Sequence, residues 1–219
     1  MPRYLVIDTE TSGLFNFALP ADAPEQPRLA SFTALEFDTD TTPPDETPEM
    51  FSTLVRPDGW EIAPEVTAIN GLTTQTCMDT GVSIGSVLAY YTEKVLTGWI
   101  VVAYNAQFDT KVIRGEYRRA NLPDLFEQTP NICLMRAAHK LKIEKAGEKK
   151  KGFPKLSDVI RHFFREDIEG PHHSEIDALA ALRILRKMIP MNALPAPEVH
   201  YAKNRPMPAT TPVTPEASA

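Results

Sequence analysis

Tyr4-Leu5-Val6-Ile7-Asp8-Thr9-Glu10-Thr11-Ser12-Gly13-Leu14 is the stretch whose reading decides the fold. Four strand-forming residues run straight into two carboxylates that stand one residue apart. Side chains alternate along a strand, so Asp8 and Glu10 point the same way provided the extended backbone persists to Glu10. Two acids on one side of a buried strand's end repel each other and lose their hydration. A divalent cation relieves both problems, and magnesium and manganese are hard ions that take oxygen ligands. A strand followed by a turn, with Asp8 or Thr9 capping what comes next, is the simpler alternative. Acids elsewhere in the chain have to decide between the two.

The chain of 219 residues is long enough to bury a sizeable core as one domain, or one domain plus a tail. Its 42% hydrophobic and 24% charged residues are those of an ordinary soluble globular protein. No apolar run approaches the ~20 residues that cross a bilayer, so no membrane association is expected. Met1-Pro2-Arg3 leads into a strand pattern without a basic leader or apolar h-region. Cys77 and Cys133 lack metal-ligand spacing and read as free thiols of a reducing compartment, which makes the expected location cytoplasmic. The net charge of −6 argues against broad, sequence-independent binding to a duplex. It leaves room for an enzyme that grips one nucleic-acid end through metal ions.

Working outward, residues 15–28 are rich in Pro and Ala without a period and read as a loop. Residues 29–38 form a second strand, whose length suggests partial exposure of one face. A proline-laden connection leads to a third strand at 50–56. Residues 63–72 read as a short helix with Pro64 at its first position and Gly71 as its stop. Residues 83–96 carry apolar residues at helical spacing behind Ser83 as N-cap. The apolar run 99–104 is a strand buried on both faces. Asn105 is placed to cap a helix over 106–120, with Phe108, Val112, Ile113 and Tyr117 facing inward. A short strand at 131–135 leads into a helix near Leu141, and helices follow at 155–164 and 174–188. Between them, residues 140–155 hold seven lysines against Glu144 and Glu148, a solvated loop or a contact for a strand's phosphates. From Met191 the chain is Pro, Ala and Thr with little to bury, so a domain over 1–190 and a flexible tail over 191–219 are expected. Strands first, then strands alternating with helices, indicate an α/β fold with a mixed sheet covered on both faces.

Two of these helices begin with acids. Asp177 lies in the first turn of 174–188, preceded by His172 and His173, and Asp109 lies near the start of 106–120. Singly, each has a structural reading: Ser174 and Asp177 stand at capping-box spacing, and acids suit helix N-termini. Together with Asp8 and Glu10 they form a different pattern. If both helices start beside the carboxyl end of the first strand, four carboxylates converge where open α/β sheets bind ligands, at helix N-termini that favour a phosphate.

On these residues the sequence resembles the DEDDh (DnaQ-like) 3′-to-5′ exonucleases. The resemblance rests on 6–14 (VIDTETSGL), 104–109 (YNAQFD) and 172–178 (HHSEIDA), with 62–73 (IAPEVTAINGLT) between the first two. It covers about residues 4–188 in the family's order. It implies an α/β fold of the ribonuclease H-like kind, a mixed five-stranded sheet flanked by helices on both faces. It also implies two Mg²⁺ ions, replaceable by Mn²⁺, held by Asp8, Glu10, Asp109 and Asp177. The family's histidine stands five positions before the last aspartate, which selects His172 as general base, with His173 as the neighbour that could exchange roles with it. An imidazole suits that proton transfer near neutral pH. Thr9, Leu14, Asn105 and Phe108 would hold the terminal nucleotide, core packing being the alternative for Leu14 and Phe108.

The resulting expectation is hydrolysis of terminal phosphodiesters at single-stranded or frayed 3′ ends of DNA, releasing 5′-mononucleotides, as in proofreading or repair. An exoribonuclease of the same fold is the first alternative, because contacts to a 2′-hydroxyl are not legible in sequence. A non-catalytic accessory subunit that docks on a polymerase through its tail is the second. Docking is also compatible with catalysis, so a polymerase or replication partner for the tail is retained beside the nucleic acid. Tyr104 stands where many relatives have His, Ser174 where Ala is common, and the loop 15–28 is longer than usual.

Overall fold

A computed structural model describes residues 2–143, 152–170 and 172–199. The first strand, β1 (Arg3–Thr11), lies at the centre of a five-stranded sheet. With β2 (Leu29–Asp38), β3 (Glu49–Leu54), β4 (Ile100–Ala103) and β5 (Asn131–Cys133), the strand order is β3-β2-β1-β4-β5. β1 pairs antiparallel with β2 along its whole length, but parallel with β4 only from Tyr4 to Val6. Beyond Val6 it therefore runs past the end of β4, and its last residues border the start of the next helix.

Seven helices occur among the described residues: α1 (Pro64–Asn70), α2 (Thr74–Thr80), α3 (Ile84–Leu96), α4 (Ala106–Arg119), α5 (Leu134–Lys140), α6 (Leu156–Phe164) and α7 (Ser174–Met188). Pro64 opens α1 and Gly71 closes it in the left-handed conformation, as the sequence predicts. Ser83 caps α3 by accepting from the Ser86 N–H. α2 was not foreseen: TQTCMDT has no apolar period, and its start is fixed locally by the Thr73 hydroxyl, which accepts from the Thr76 N–H at 3.0 Å.

Alternation along β1 sorts the core into two layers. Leu5 and Ile7 face α3 and α4, where Val87, Leu88, Val112 and Ile113 complete the packing. Tyr4 and Val6 face α5, α6 and α7, against Leu134, Ile160, Leu182 and Leu185. Each such aliphatic side chain contributes about 1.5–3 kcal/mol by leaving water. Ala178 and Ala181 bring α7 close to the sheet. A third cluster, Ala30, Ile62, Val66, Leu72 and Cys77, seats α1 and α2.

Two sequence expectations need correction. β2 is not exposed along one face: α3 and α4 cover one side, α7 covers the other, and only Glu36 and Asp38 are half-buried. Asn105 occupies the N-cap position of α4 without a side-chain capping bond. Cys77 and Cys133 are buried free thiols. No helix among the described residues is long and apolar enough to cross a membrane. Residues 191–199 return to the sheet, where Asn131 and Glu198 exchange two backbone hydrogen bonds. The middle of the lysine-rich segment, 144–151, and the tail from 200 onward lie outside the described residues, as does the docking role expected of that tail.

Candidate active site

The alternation that sorts the core also sorts the acids. Asp8 and Glu10 continue the face of Tyr4 and Val6, past the last apolar residue and under the first turn of α7. Asp177 sits in that turn. The turn is held by hydroxyls: Ser174 Oγ lies 2.6 Å from Ser31 Oγ and 2.9 Å from Thr33 Oγ1. Ser31 and Thr33 pair with Glu10 and Asp8 in the sheet, so α7 is fixed to the register that carries the acids. Ser174 therefore bonds across to the sheet and does not cap its own helix. Instead the Asp177 carboxylate reaches back to accept the His172 N–H at 3.1 Å.

Asp109 arrives from the other layer. It lies in the first turn of α4, is 2% exposed, and accepts the Thr9 hydroxyl at 2.8 Å. Thr9 is thus the odd-face residue that ties α4 to the strand bearing Asp8 and Glu10. Between Glu10 and Thr11 the β1–β2 register shifts, a bulge that redirects the strand as it leaves the site.

Burial and mutual repulsion dominate the electrostatics. Loss of hydration, then the charges of Asp109, Asp177 and Glu10, push the Asp8 carboxyl far above the usual carboxylate range. Burial raises Glu10 to about 7, although Asn70 donates to its Oε2 at 3.4 Å. Burial likewise raises Asp109 to about 7, against the hydrogen bond from Thr9. Asp177 is raised by burial, opposed by the His172 N–H and by the two histidines. Among the described residues no Lys or Arg forms an ion pair with any of the four.

One ligand atom each from Glu10, His172 and Asp177 lies within 4.8 Å of the others. Asp177 Oδ1 is buried without a hydrogen-bond partner among the described residues. Converging carboxylates that repel one another, one with an orphaned oxygen, are the donor set that a hard divalent cation satisfies.

Residues 5–185 match the RNase_T family model, described as exonuclease. The chain belongs to this exonuclease family. No curated protein matches the sequence. Solved structures show the same fold. Escherichia coli Exonuclease I in complex with a dT13 oligonucleotide is 19% identical at a TM-score of 0.68, over 86% of this chain and 41% of that one. A 3′-exonuclease described as recognising a histone mRNA stem-loop at its 3′ end is 16% identical at 0.69, over 96% and 95%. A full-length 3′-exonuclease is 17% identical at 0.69, over 91% and 64%. The chain thus spans about two fifths of Exonuclease I.

The exonuclease's two histidines separate in space. His172, with a positive φ of 68°, turns its ring to Glu10 and Asp177. His173 instead lines a groove of about 500 Å³ between β3, α1–α2 and the start of α7. Leu14 is 83% exposed, and Phe108 is half-buried against Phe15. Asn105 is half-buried at the start of α4. Tyr104 is turned away, its hydroxyl donating to the Pro154 carbonyl at 2.6 Å. The sequence reading gave Asn70 no role, yet its amide meets Glu10 while its oxygen takes the Leu72 N–H. An amide immediately before a helix-ending glycine was the available signal. The hydroxyls of Ser31 and Thr33 carried no signal, because a strand of mixed Ser, Thr and Ala looks the same wherever it lies.

Proposed function

We propose that the exonuclease hydrolyses the terminal phosphodiester at the 3′ end of single-stranded or frayed DNA and releases a 5′-mononucleotide. The convergence of Asp8, Glu10, Asp109 and Asp177 with His172 carries this reading. Asp8 feels the charge of all three other acids, and Asp8, Glu10, Asp109 and Asp177 are the residues that would hold the cations. Two Mg²⁺ or Mn²⁺ ions bound there would neutralise the phosphate, activate the attacking water and stabilise the leaving 3′ oxygen.

The chain's own residues supply the rest. His172 takes the proton of the attacking water, and Asp177 fixes the backbone that presents His172 through its 3.1 Å hydrogen bond. Thr9 meets the 3′-hydroxyl through its backbone, Leu14 wedges against the terminal base, and Asn105 and Phe108 line the same pocket. With DNA as substrate this chemistry serves proofreading or repair. An RNA substrate is the second reading, favoured by the match along 96% of this chain to an exonuclease described as recognising an mRNA stem-loop.

Matched 5′-labelled DNA and RNA oligonucleotides decide both questions in one gel. Wild type with Mg²⁺ or Mn²⁺ should shorten the DNA strand stepwise from its 3′ end and release mononucleotides, and EDTA should stop it. Asp8→Ala and His172→Ala should abolish cleavage. Undiminished cleavage by either variant overturns the site, and preference for RNA transfers the reading to an exoribonuclease.

A further inference from the structure

The loop joining β1 to β2 carries aromatic rings that the reaction above does not use. Phe15 meets Phe108 edge-on at 5.9 Å between centroids, and Phe17 meets Phe15 in the same way at 5.1 Å. Phe108 directly precedes Asp109, so a row of three rings leads outward from the acids to Phe17, which is 47% exposed. Lys111, two residues past Asp109 on α4, sets its ammonium 5.1 Å from the Phe17 centroid. Lys111 forms no ion pair among the described residues. An ammonium beside a solvent-facing ring, without an ion-pair partner among the described residues, suits an anionic, ring-bearing ligand.

The loop is also held in place. Gln26 is buried and its amide donates to the carbonyls of Asn16 and Pro20 at 2.7 and 3.1 Å, while its oxygen accepts the Asn16 N–H at 3.0 Å. Arg28 forks onto the buried Glu116 of α4. A ring on such a support loses little freedom when a ligand stacks on it.

We propose that Phe17 and Lys111 form a second stacking position, which takes an unpaired base upstream of the terminal nucleotide and pairs Lys111 with a phosphate of the same strand. The ligand's identity rests on the exonuclease reading. The position accepts a single strand and disfavours a paired end, whose bases offer no free face. The competing route for the strand is the hydroxyl-lined groove on the β3 side of Glu10, where His173 and Thr76 lie.

The test is fluorescence anisotropy with labelled decathymidylate, on an Asp8→Asn background that keeps the strand intact, with thymidine 5′-monophosphate as the short competitor. Phe17→Ala should weaken decathymidylate binding roughly tenfold, within the range of one base stacked on an aromatic ring, and leave the monophosphate's affinity in place. Phe17→Trp should restore binding, and Lys111→Gln should flatten its salt dependence. Unchanged decathymidylate affinity in Phe17→Ala places the strand on the other route and overturns the proposal. So does an equal loss for both ligands, or a Trp variant as weak as Ala, because either marks a collapsed loop. Cleavage plays no part in this measurement, so a wild type that binds through Phe17 yet cuts nothing sinks the exonuclease reading alone.

Discussion

Glu10 and Asp109 carry pKa values pushed up to about 7, because burial strips their hydration while other acids stand close. An acid whose folded pKa lies above its unfolded one binds its proton more tightly when folded. Its contribution to stability therefore falls as pH rises from the unfolded value, near 4, through about 7. Divalent cations bind the deprotonated set, so the same window governs their effect with the opposite sign. The metal-free protein should melt at lower temperature as pH rises from about 5 to about 8, and the increment given by Mg²⁺ should grow over that interval. Thermal unfolding with and without Mg²⁺ reads both, and an increment independent of pH would show that these groups do not bind the ion. Asp8→Asn should separate function from stability. It replaces a carboxyl whose ionisation is opposed by burial and by three neighbouring acids, so the metal-free variant should melt above wild type near neutral pH while cleavage falls by roughly a thousandfold or more. A lower melting temperature would mark Asp8 as a structural carboxylate.

At the scale of elements, α4 does more than present Asp109. Its outer turns anchor the β1–β2 loop: Glu116, 2% exposed, accepts three bonds from Arg28, the Leu29 N–H and one bond from Arg119. Removing it leaves two partly buried guanidinium groups without their counter-ion. Glu116→Ala should cost about 3 kcal/mol, the scale for breaking a buried pair from one side, read by urea unfolding. One residue earlier, a Cβ on Gly115 would stand 2.4 Å from the Ala21 carbonyl. Gly115→Ala should therefore displace the loop and weaken decathymidylate binding more than it lowers stability, and wild-type affinity in that variant would show that the loop does not shape the site. This anchoring was invisible in the sequence. Residues 15–28 have no period, and the partners Arg28 and Glu116 lie 88 positions apart. Helices with a sharp start or stop were legible, as with Pro64, Gly71 and Ser83. α2 was not, because polar residues held by one threonine hydroxyl leave no pattern.

For the whole molecule, the acids were legible because strand alternation and helix N-termini constrain where a carboxylate can point. The hydroxyl and amide contacts among Ser31, Thr33, Asn70 and Ser174 follow from how layers meet, and local sequence carries no record of that. The same distinction applies at the far edge of the sheet. β5 has three residues, and composition gave no reason for the chain beyond Met191 to pair with it. Yet Asn131 and Glu198 exchange hydrogen bonds of 2.9 and 3.0 Å, and Ala193 and Leu194 pack against the α7 side of the core. Residues 191–199 thus cover an edge that would otherwise offer open backbone groups. Two backbone bonds at about 1 kcal/mol each, with part of a leucine's burial, amount to roughly 2–3 kcal/mol. For a domain of this size that is about 5–10 °C. A chain ending at Pro190 should therefore melt about that far below one ending at Val199. Both should degrade a single strand at the same rate, because Asp8, Glu10, Asp109 and Asp177 lie at the opposite ends of β1 and its neighbours from this contact. Equal melting temperatures would show that the returning segment does not close the sheet, and a slower Pro190 chain would show that this edge and the acids are coupled through β4.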